Sequence, residues 1–506
     1  MQQSKELFAV STGRWSLWPI IKGGLFAKLC WRIVKKHRRR TVFQQKTVIL
    51  RKAKEFALGC FEWHFCLKSF KNQKKERPVI MAFAHSGDRY KSEDGRYKHS
   101  FYDNIYESGT KTFDMFIVEK TNGKKRLKNT VGPRHLRGEY FDFSGSIGAR
   151  FFKPNPQIQD KIVQLSEIII SLLGGYPDIQ SVVTDELASG LAAQRLYYFN
   201  QMKKRADAVI EKIRPSVILV TDSPSYYAVI AAAKEKNIPA IEIQHGDFSP
   251  IYPPFCWPAW AKDIKNRLPI PDKIITFGKY WGDKLVEGGF WTPDEVAPLG
   301  KARLDEFRRK NHGNNSNVRK RNKSDSIKLL FTTQDTTREK TIPFFEKVLQ
   351  IASTKSIPLI LYIKVHQFEE NYVHLYKVLQ NKYPDKCIVC HPNKKLLYDL
   401  MLETDIHLSV YSTSLYESIA IGTPTGVLDF DGREGIVVLL RNNNVRLFAY
   451  PEDLIQGVRE AMDWSDWWQE WIKSTKKAKD YFFTSGAIES HVNYLNNILL
   501  SESRLL

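Results

Sequence analysis

Uninterrupted apolar runs of strand length recur along the chain, each closed by a histidine, a glycine or a small polar group. Pro78–Ala84 ends at His85-Ser86-Gly87. Phe113–Val118 follows, then Val217–Thr221, which runs into Asp222-Ser223-Pro224-Ser225 and an alanine-rich helix reaching about Lys236. Ala240–Gln244 ends in His245-Gly246-Asp247, and Lys273–Phe277 in Gly278. Strands that are apolar throughout, rather than on alternate residues, belong to parallel sheets covered on both faces. The pattern restarts at residue 327. Strands are predicted at Ile327–Thr332, Pro358–Val365, Cys387–Cys390, Asp405–Val410 and Thr425–Phe430. Between them the periodicity predicts helices at Glu339–Ile351, Tyr372–Asn381, Lys395–Leu402 and Ser414–Ile421. This β-α-β-α order predicts an α/β protein with two Rossmann-like doubly wound domains facing a cleft.

The polar segments set the expected boundaries. Asn311–Ser326 holds one apolar side chain, Val318, and reads as an exposed linker. The organisation predicted is a basic, aromatic extension over 1–77, a first Rossmann-like domain binding the acceptor over 78–305, a linker over 306–326, a second, nucleotide-donor domain over 327–470 and a helical tail over 471–506. Trp464, Trp467, Trp468 and Trp471 near the start of that tail are expected to pack between the domains, with a membrane contact as the second reading.

Charge changes the picture at the N-terminus. The 506 residues carry a formal net charge of +22, and residues 1–77 supply +15 of it, from 19 Lys and Arg against four acidic residues. The densest cluster is Lys35-Lys36-His37-Arg38-Arg39-Arg40, and Trp15, Trp18, Phe26, Trp31, Phe61, Trp63, Phe65 and Phe70 lie among the basic positions. Cations interleaved with aromatics suit an anionic membrane surface; a nucleic-acid phosphate backbone and a solvated helical face that binds nothing are the competing readings. No nucleic-acid-binding module is visible, and nucleic acid is not expected as a partner. The longest apolar stretches, Ile357–Ile363 and Tyr226–Ala233, fall far short of the roughly 18 residues of a bilayer span. The short run Trp15–Ile21 is broken by Pro19 and has no small-residue cleavage site after it. The expected location is therefore cytoplasmic, peripheral to the inner face of the cell membrane. Six cysteines make no disulfide framework. Cys387-Ile388-Val389-Cys390-His391 has the spacing of a haem attachment site, but reads better as a buried strand.

Candidate chemistry gathers where strands end. Ser412, Thr413 and Ser414 fall at a helix start, where backbone N–H groups and the helix dipole favour an anion; the same residues also suit a plain N-cap. Glu417, in the first turn, can accept from a ribose or close a capping box with Ser414. Lys364 and His366 end one strand, and Thr332-Thr333-Gln334-Asp335 ends its neighbour. In the first domain His245 is a candidate general base and Asp222 its assistant or substitute; a structural histidine and an Asx turn are the competing readings. No cluster has metal-ligand spacing, so neither metal nor cofactor is expected.

The QHG of Gln244–Gly246, the Lys364-x-His366 pair, the stretch from Asp405 through Ser412-Thr413-Ser414 to Glu417, and Gly422-Thr423-Pro424 together resemble GT-B transferases of bacterial surface-polysaccharide assembly. The likeness is to the broad group of capsule Kdo transferases, bacterial sialyltransferases and CDP-glycerol or CDP-ribitol polymerases. Ile275–Asp305 also resembles the inter-domain segment of that group. The resemblance implies that His366 sits near the donor phosphate, that Ser412 and Thr413 hold phosphate, that Glu417 holds the nucleotide's sugar, and that His245 is the acid/base group; Lys364, Ser414 and Gln334 are expected to border the same donor site from their places at strand ends and the helix start. Where the group usually has His-Pro, this chain has His366-Gln367. The position eight before Glu417 is Ser409, not the second glutamate common in retaining enzymes, so an inverting transfer is expected. The resemblance implies a CMP-, CDP- or UDP-linked donor and a glycan or lipid-linked acceptor. The alternatives are a CDP-polyol phosphotransferase of the same fold, a sugar-nucleotide 2-epimerase, and a non-enzymatic membrane-surface or nucleic-acid binding protein.

Overall fold

The structure is a computed structural model that describes residues 2–34, 42–70, 77–92, 94–121, 129–131, 134–149, 151–246, 255, 257–311, 325–334, 337–392, 396–441 and 444–503. The Lys35–Arg40 cluster, Asp247, Asp335 and most of the expected linker (312–324) lie outside the described residues. The chain forms two compact units, one of Met1–Phe277, Trp281–Arg303 and Gly486–Leu506, the other of Gly278–Tyr280 and Leu304–Ser485.

The first unit holds a seven-stranded, all-parallel sheet. Its strands are β1 (Val79–His85), β2 (Asp114–Lys120), β3 (Arg134–Arg137), β4 (Val217–Val220), β5 (Ala240–Ile243), β6 (Lys273–Thr276) and β7 (Val296–Pro298), in the order β7-β6-β5-β4-β1-β2-β3. The second unit holds six parallel strands, β8 (Ile327–Thr332), β9 (Leu359–Lys364), β10 (Cys387–Cys390), β11 (Ile406–Ser409), β12 (Thr425–Leu428) and β13 (Arg446–Phe448), in the order β10-β9-β8-β11-β12-β13. Counted from its own first strand, each sheet runs 3-2-1-4-5-6, the doubly wound order; the first unit adds a seventh strand at one edge. The two Rossmann-like α/β domains expected from the periodicity are therefore present, with helices at the C-terminal end of the chain.

Packing follows from composition. Helix Ser223–Lys234 is alanine-rich and lies wholly against the core from Tyr226 to Ala233, because small side chains let its backbone approach the sheet. Pro224 in its first turn supplies a preset helical φ where no N–H is required. Gly278, after β6, is required by a close approach: a Cβ there would sit 2.5 Å from the carbonyl carbon and oxygen of Phe482.

Two expectations about aromatics are corrected. Trp468 and Trp471 are buried in the second unit's own core beside Phe448 and Leu454, not between domains, because helix Asp466–Phe482 lays one face on that sheet. At the N-terminus, Trp15 and Trp63 are core residues of the first unit. Trp15 Nε1 donates to Glu235 Oε1 at 2.7 Å, and the Trp63 ring stacks on Tyr140 and meets Phe141 edge-on. Neither can face a lipid. Cys387 is buried in edge strand β10, where burial pushes its thiol up to about 12, an inert structural cysteine. No helix among the described residues is long and apolar enough to cross a membrane.

Candidate active site

In a doubly wound sheet the first and fourth strands diverge, and the crevice beyond their carboxyl ends is where ligands bind. In the first unit these strands are β1 and β4. His85 is the last residue of β1, and Asp222 follows β4 by two residues. His85 Nε2 lies 3.7 Å from Asp222 Oδ2, and Ser225 Oγ donates to the same oxygen at 2.5 Å. Burial alone would raise the Asp222 carboxyl. The hydrogen bond to His85, the nearby His245, the Ser225 hydroxyl and the His85 charge outweigh it and hold the group at about 2. Asp222 is thus an anion at neutral pH with imidazoles beside it.

His245 is brought to the same place by a buried clamp. The Gln244 side chain accepts from Phe277 N at 2.7 Å and donates to Gly246 O at 2.8 Å, fastening the turn after β5 to the end of β6. His245 is half-buried; its Nδ1 is buried and has no hydrogen-bond partner among the described residues. Gly246 has open space around its Cα. Asp88, in the turn after β1, completes the group. Burial raises its carboxyl, against the opposing charges of His85, His245 and Lys301, while Asp222 adds to the rise. Lys301 follows Gly300, whose φ of +98° turns the chain after β7, and its ammonium lies 5.0 Å over the Phe277 ring. Beneath Asp222 lies Glu242 of β5, fully buried. Ser223 N donates to its Oε1 at 3.2 Å, and its Oε2 is unpartnered among the described residues. Burial pushes this carboxyl up to about 8 against the Ser223 hydrogen bonds, and the Asp222 charge adds to the rise.

Sequence reasoning named Asp222 and His245 and missed His85, Asp88, Lys301 and Glu242 as site residues. For His85 a signal existed, since it ends the first apolar strand just as His245 follows the fifth. Glu242 shows only as one charge inside Ala-Ile-Glu-Ile.

The corresponding strands of the second unit, β8 and β11, carry different chemistry. Ser412 and Thr413 are half-exposed at the start of helix Ser414–Ile421, and Ser412 Oγ accepts from Ser414 N at 3.2 Å. Ser414 is buried, and its hydroxyl meets Thr332 Oγ1 at 3.1 Å. Thr332 also meets His407 Nε2 at 3.0 Å, His407 Nδ1 meets Ser418 Oγ at 3.0 Å, and Ser418 bonds Thr425. Burial lowers the His407 imidazole to about 3, so this network is neutral. Gln334 Oε1 accepts from the backbone N–H groups of Val410 and Tyr411 at 3.2 and 3.0 Å, fixing the loop that leads to Ser412. Lys364 is turned inward, donating to His391 O and Pro392 O at 3.1 and 2.9 Å. His366 is exposed, and its backbone N–H donates to Thr333 Oγ1 at 2.9 Å. Glu417 is buried and accepts from Tyr398 OH at 2.8 Å; no capping-box bond to Ser414 forms. Ser412, Thr413 and His366 are thus the presented groups, and Gln334, Lys364, Ser414 and Glu417 are fixed by protein partners.

No protein-family profile and no curated relative matches the sequence. Among solved structures, the chain is similar to UDP-GlcNAc 2-epimerase from Neisseria meningitidis bound to UDP-GlcNAc (14% identity, 83% of this chain and 99% of that one, TM-score 0.48). It is similar to UDP-GlcNAc 2-epimerase from Methanocaldococcus jannaschii (15% identity, 83% and 99%, TM-score 0.48). It is also similar to a variant of the wall teichoic acid polymerase TagF (12% identity, 95% and 98%, TM-score 0.48). These are likenesses of fold, and the chemistry rests on this chain's own residues.

Proposed function

We propose that the protein is an inverting, metal-independent glycosyltransferase that moves a sugar from a nucleotide-activated donor to a growing surface glycan at the cytoplasmic face of the membrane. The observation that carries the reading is the ionised Asp222 with His85 and His245 beside it at the switch point of the first sheet. His245 takes the proton from the acceptor hydroxyl as that oxygen attacks the anomeric carbon. Asp222 stabilises the imidazolium that forms. The bond from sugar to nucleotide phosphate breaks on the opposite side, and the departing phosphate is received by the N–H groups and hydroxyls at Ser412 and Thr413, with His366 as a further donor. Glu417, held by Tyr398, borders the nucleotide's ribose.

The test is a thermal-shift panel of the purified protein with CMP, CDP, UDP, GDP and ADP. A nucleotide at about 100 times its dissociation constant adds roughly 2.7 kcal/mol of stability. A selective shift that is lost in Ser412→Ala or Thr413→Ala, together with transfer activity lost in His245→Ala, is the expected result. CMP would indicate an acidic-sugar donor and CDP a polyol phosphate. No shift with any nucleotide removes the donor site and with it the transferase reading.

A further inference from the structure

The longest helix of the first unit, Val42–Phe70, has two opposed faces. Its inner face is docked. Trp63 is buried, its Nε1 donates to Arg137 O at 3.1 Å, and Cys66 is buried one turn further on. Gly59 allows the close approach, since a Cβ there would lie 3.2 Å from Arg137 Cβ and 3.4 Å from Tyr140 Cβ. Arg137 also pairs with Glu55, at 2.8 Å, and with Glu62. The two acidic residues of the helix are therefore neutralised on the docked side.

The outer face reads Lys54, Leu58, Phe61, Phe65, Lys68, a spacing of four, three, four and three that keeps one stripe of a helix. All five are exposed. Phe61 is 68% and Phe65 58% exposed, and their rings touch at 5.3 Å between centroids. Two adjacent phenylalanines are thus held out by a helix whose other side is anchored. Residues 35–77 contain 14 Lys and Arg against three acidic residues, two of them the Glu55 and Glu62 already paired. An apolar stripe with a lysine at each end, in so cationic a segment, has the chemistry of an interfacial helix.

We infer that the Leu58–Phe61–Phe65 stripe of this helix is the surface by which the protein sits on an anionic phospholipid membrane, the two phenylalanine rings entering the headgroup boundary while Lys54 and Lys68 meet lipid phosphates. The inference rests on the membrane-face part of the proposed function and names the residues that carry it. It also separates the buried Trp15 and Trp63 from the lipid contact.

The experiment is co-sedimentation of the full chain with vesicles of phosphatidylcholine alone and of phosphatidylcholine mixed with phosphatidylglycerol. Wild type is expected to pellet with the mixed vesicles and far less with phosphatidylcholine alone. Phe61→Ser/Phe65→Ser should bind the mixed vesicles at least about tenfold more weakly while its thermal unfolding stays unchanged, because both rings are exposed. Lys54→Glu/Lys68→Glu, which leaves the rings in place, should lose the preference for phosphatidylglycerol. Equal pelleting of the phenylalanine variant and wild type overturns the assignment, as does absence of wild-type pelleting, or tighter binding to a DNA duplex that the phenylalanine changes leave intact. The nucleotide-induced thermal shift, read on the same variants, keeps failure of this surface distinct from failure of the transferase reading: it should persist in both.

Discussion

Replacing Glu242 with Gln should make the first unit less sensitive to alkali. Glu242 is fully buried in β5, accepts one backbone hydrogen bond, from Ser223, and leaves Oε2 unpartnered among the described residues. Burial raises its pKa from 4.5 to about 8. Between those values the unfolded chain has released a proton that the folded chain still holds. Stability therefore falls as pH rises, by about 1.4 kcal/mol per pH unit. The loss amounts to roughly 2–3 kcal/mol between pH 5 and pH 7 and approaches about 5 kcal/mol above pH 8. Glutamine has the same shape, keeps an oxygen for Ser223 N and does not titrate. Urea unfolding of wild type and Glu242→Gln at pH 5, 7 and 8.5 isolates the effect, because the other titrating groups are common to both proteins and their contributions largely cancel in the difference. The variant should be close to wild type at pH 5 and more stable by several kcal/mol at pH 8.5. A difference that stays constant across that range would refute the reasoning, and would mean that Glu242 is solvated in the folded protein.

Asp222→Asn tests the opposite sign: with the folded carboxyl at about 2 against 3.8, Asp222 contributes about 2 kcal/mol that is present above pH 4 and lost as pH falls through 2. The gap between wild type and variant in urea melts should close on acidification. Gly278→Ala places a Cβ 2.5 Å from the Phe482 carbonyl and should destabilise the second unit by about 1–3 kcal/mol, read as a lowered unfolding midpoint. Tyr398→Phe removes the hydroxyl that donates to buried Glu417; it should cost about 1–3 kcal/mol and weaken nucleotide binding in the same thermal-shift panel.

The central strands were legible because each is an apolar run with a sharp end, and so was the edge strand Cys387–Cys390, which was expected to be buried but has only Cys387 buried. Ile327–Thr332, Cys387–Cys390 and helix Ser414–Ile421 come out with the same limits from the periodicity and in the structure. Three strands of the two parallel sheets were missed, Arg134–Arg137, Val296–Pro298 and Arg446–Phe448, each at an edge of its sheet, as were the short antiparallel ladders of Ser11–Thr12 with Trp15–Ser16 and Arg89–Lys91 with Tyr97–His99. Arg-His-Leu-Arg is mostly polar, and the three residues of Val-Ala-Pro are too few to stand out as an apolar run. The long helices between residues 139 and 213 also escaped notice, since the strand-and-stop pattern used elsewhere has no purchase on a run of consecutive helices. Within the site, position in the sequence showed which residues end strands but not which strands are neighbours. His85 and Asp222 are 137 residues apart and meet only because β1 pairs with β4. The inward turn of Lys364 and the burial of Ser414 and Glu417 are equally invisible in a motif, because a side chain's partner is set by the fold around it.

The two sheets share one strand order, yet their switch points are furnished differently, and the difference predicts a division of labour. In the first, an ionised carboxylate stands beside two histidines, an arrangement that can move a proton near neutral pH. In the second, threonine and serine hydroxyls surround a histidine that burial keeps neutral, His407 at about 3; fixed hydroxyls can hold an anion but cannot transfer protons usefully at that pH. The exposed imidazole there is His366. In the proposed reaction His245 moves the acceptor's proton and His366 helps to hold the donor's phosphate. Replacing His245 with Asn should therefore abolish transfer and leave nucleotide affinity unchanged. Replacing His366 with Asn should weaken nucleotide binding and leave turnover at saturating donor largely intact. Calorimetric nucleotide titrations and rate measurements on the three proteins separate the effects, and a single substitution that removes both would mean that the two imidazoles serve one site function.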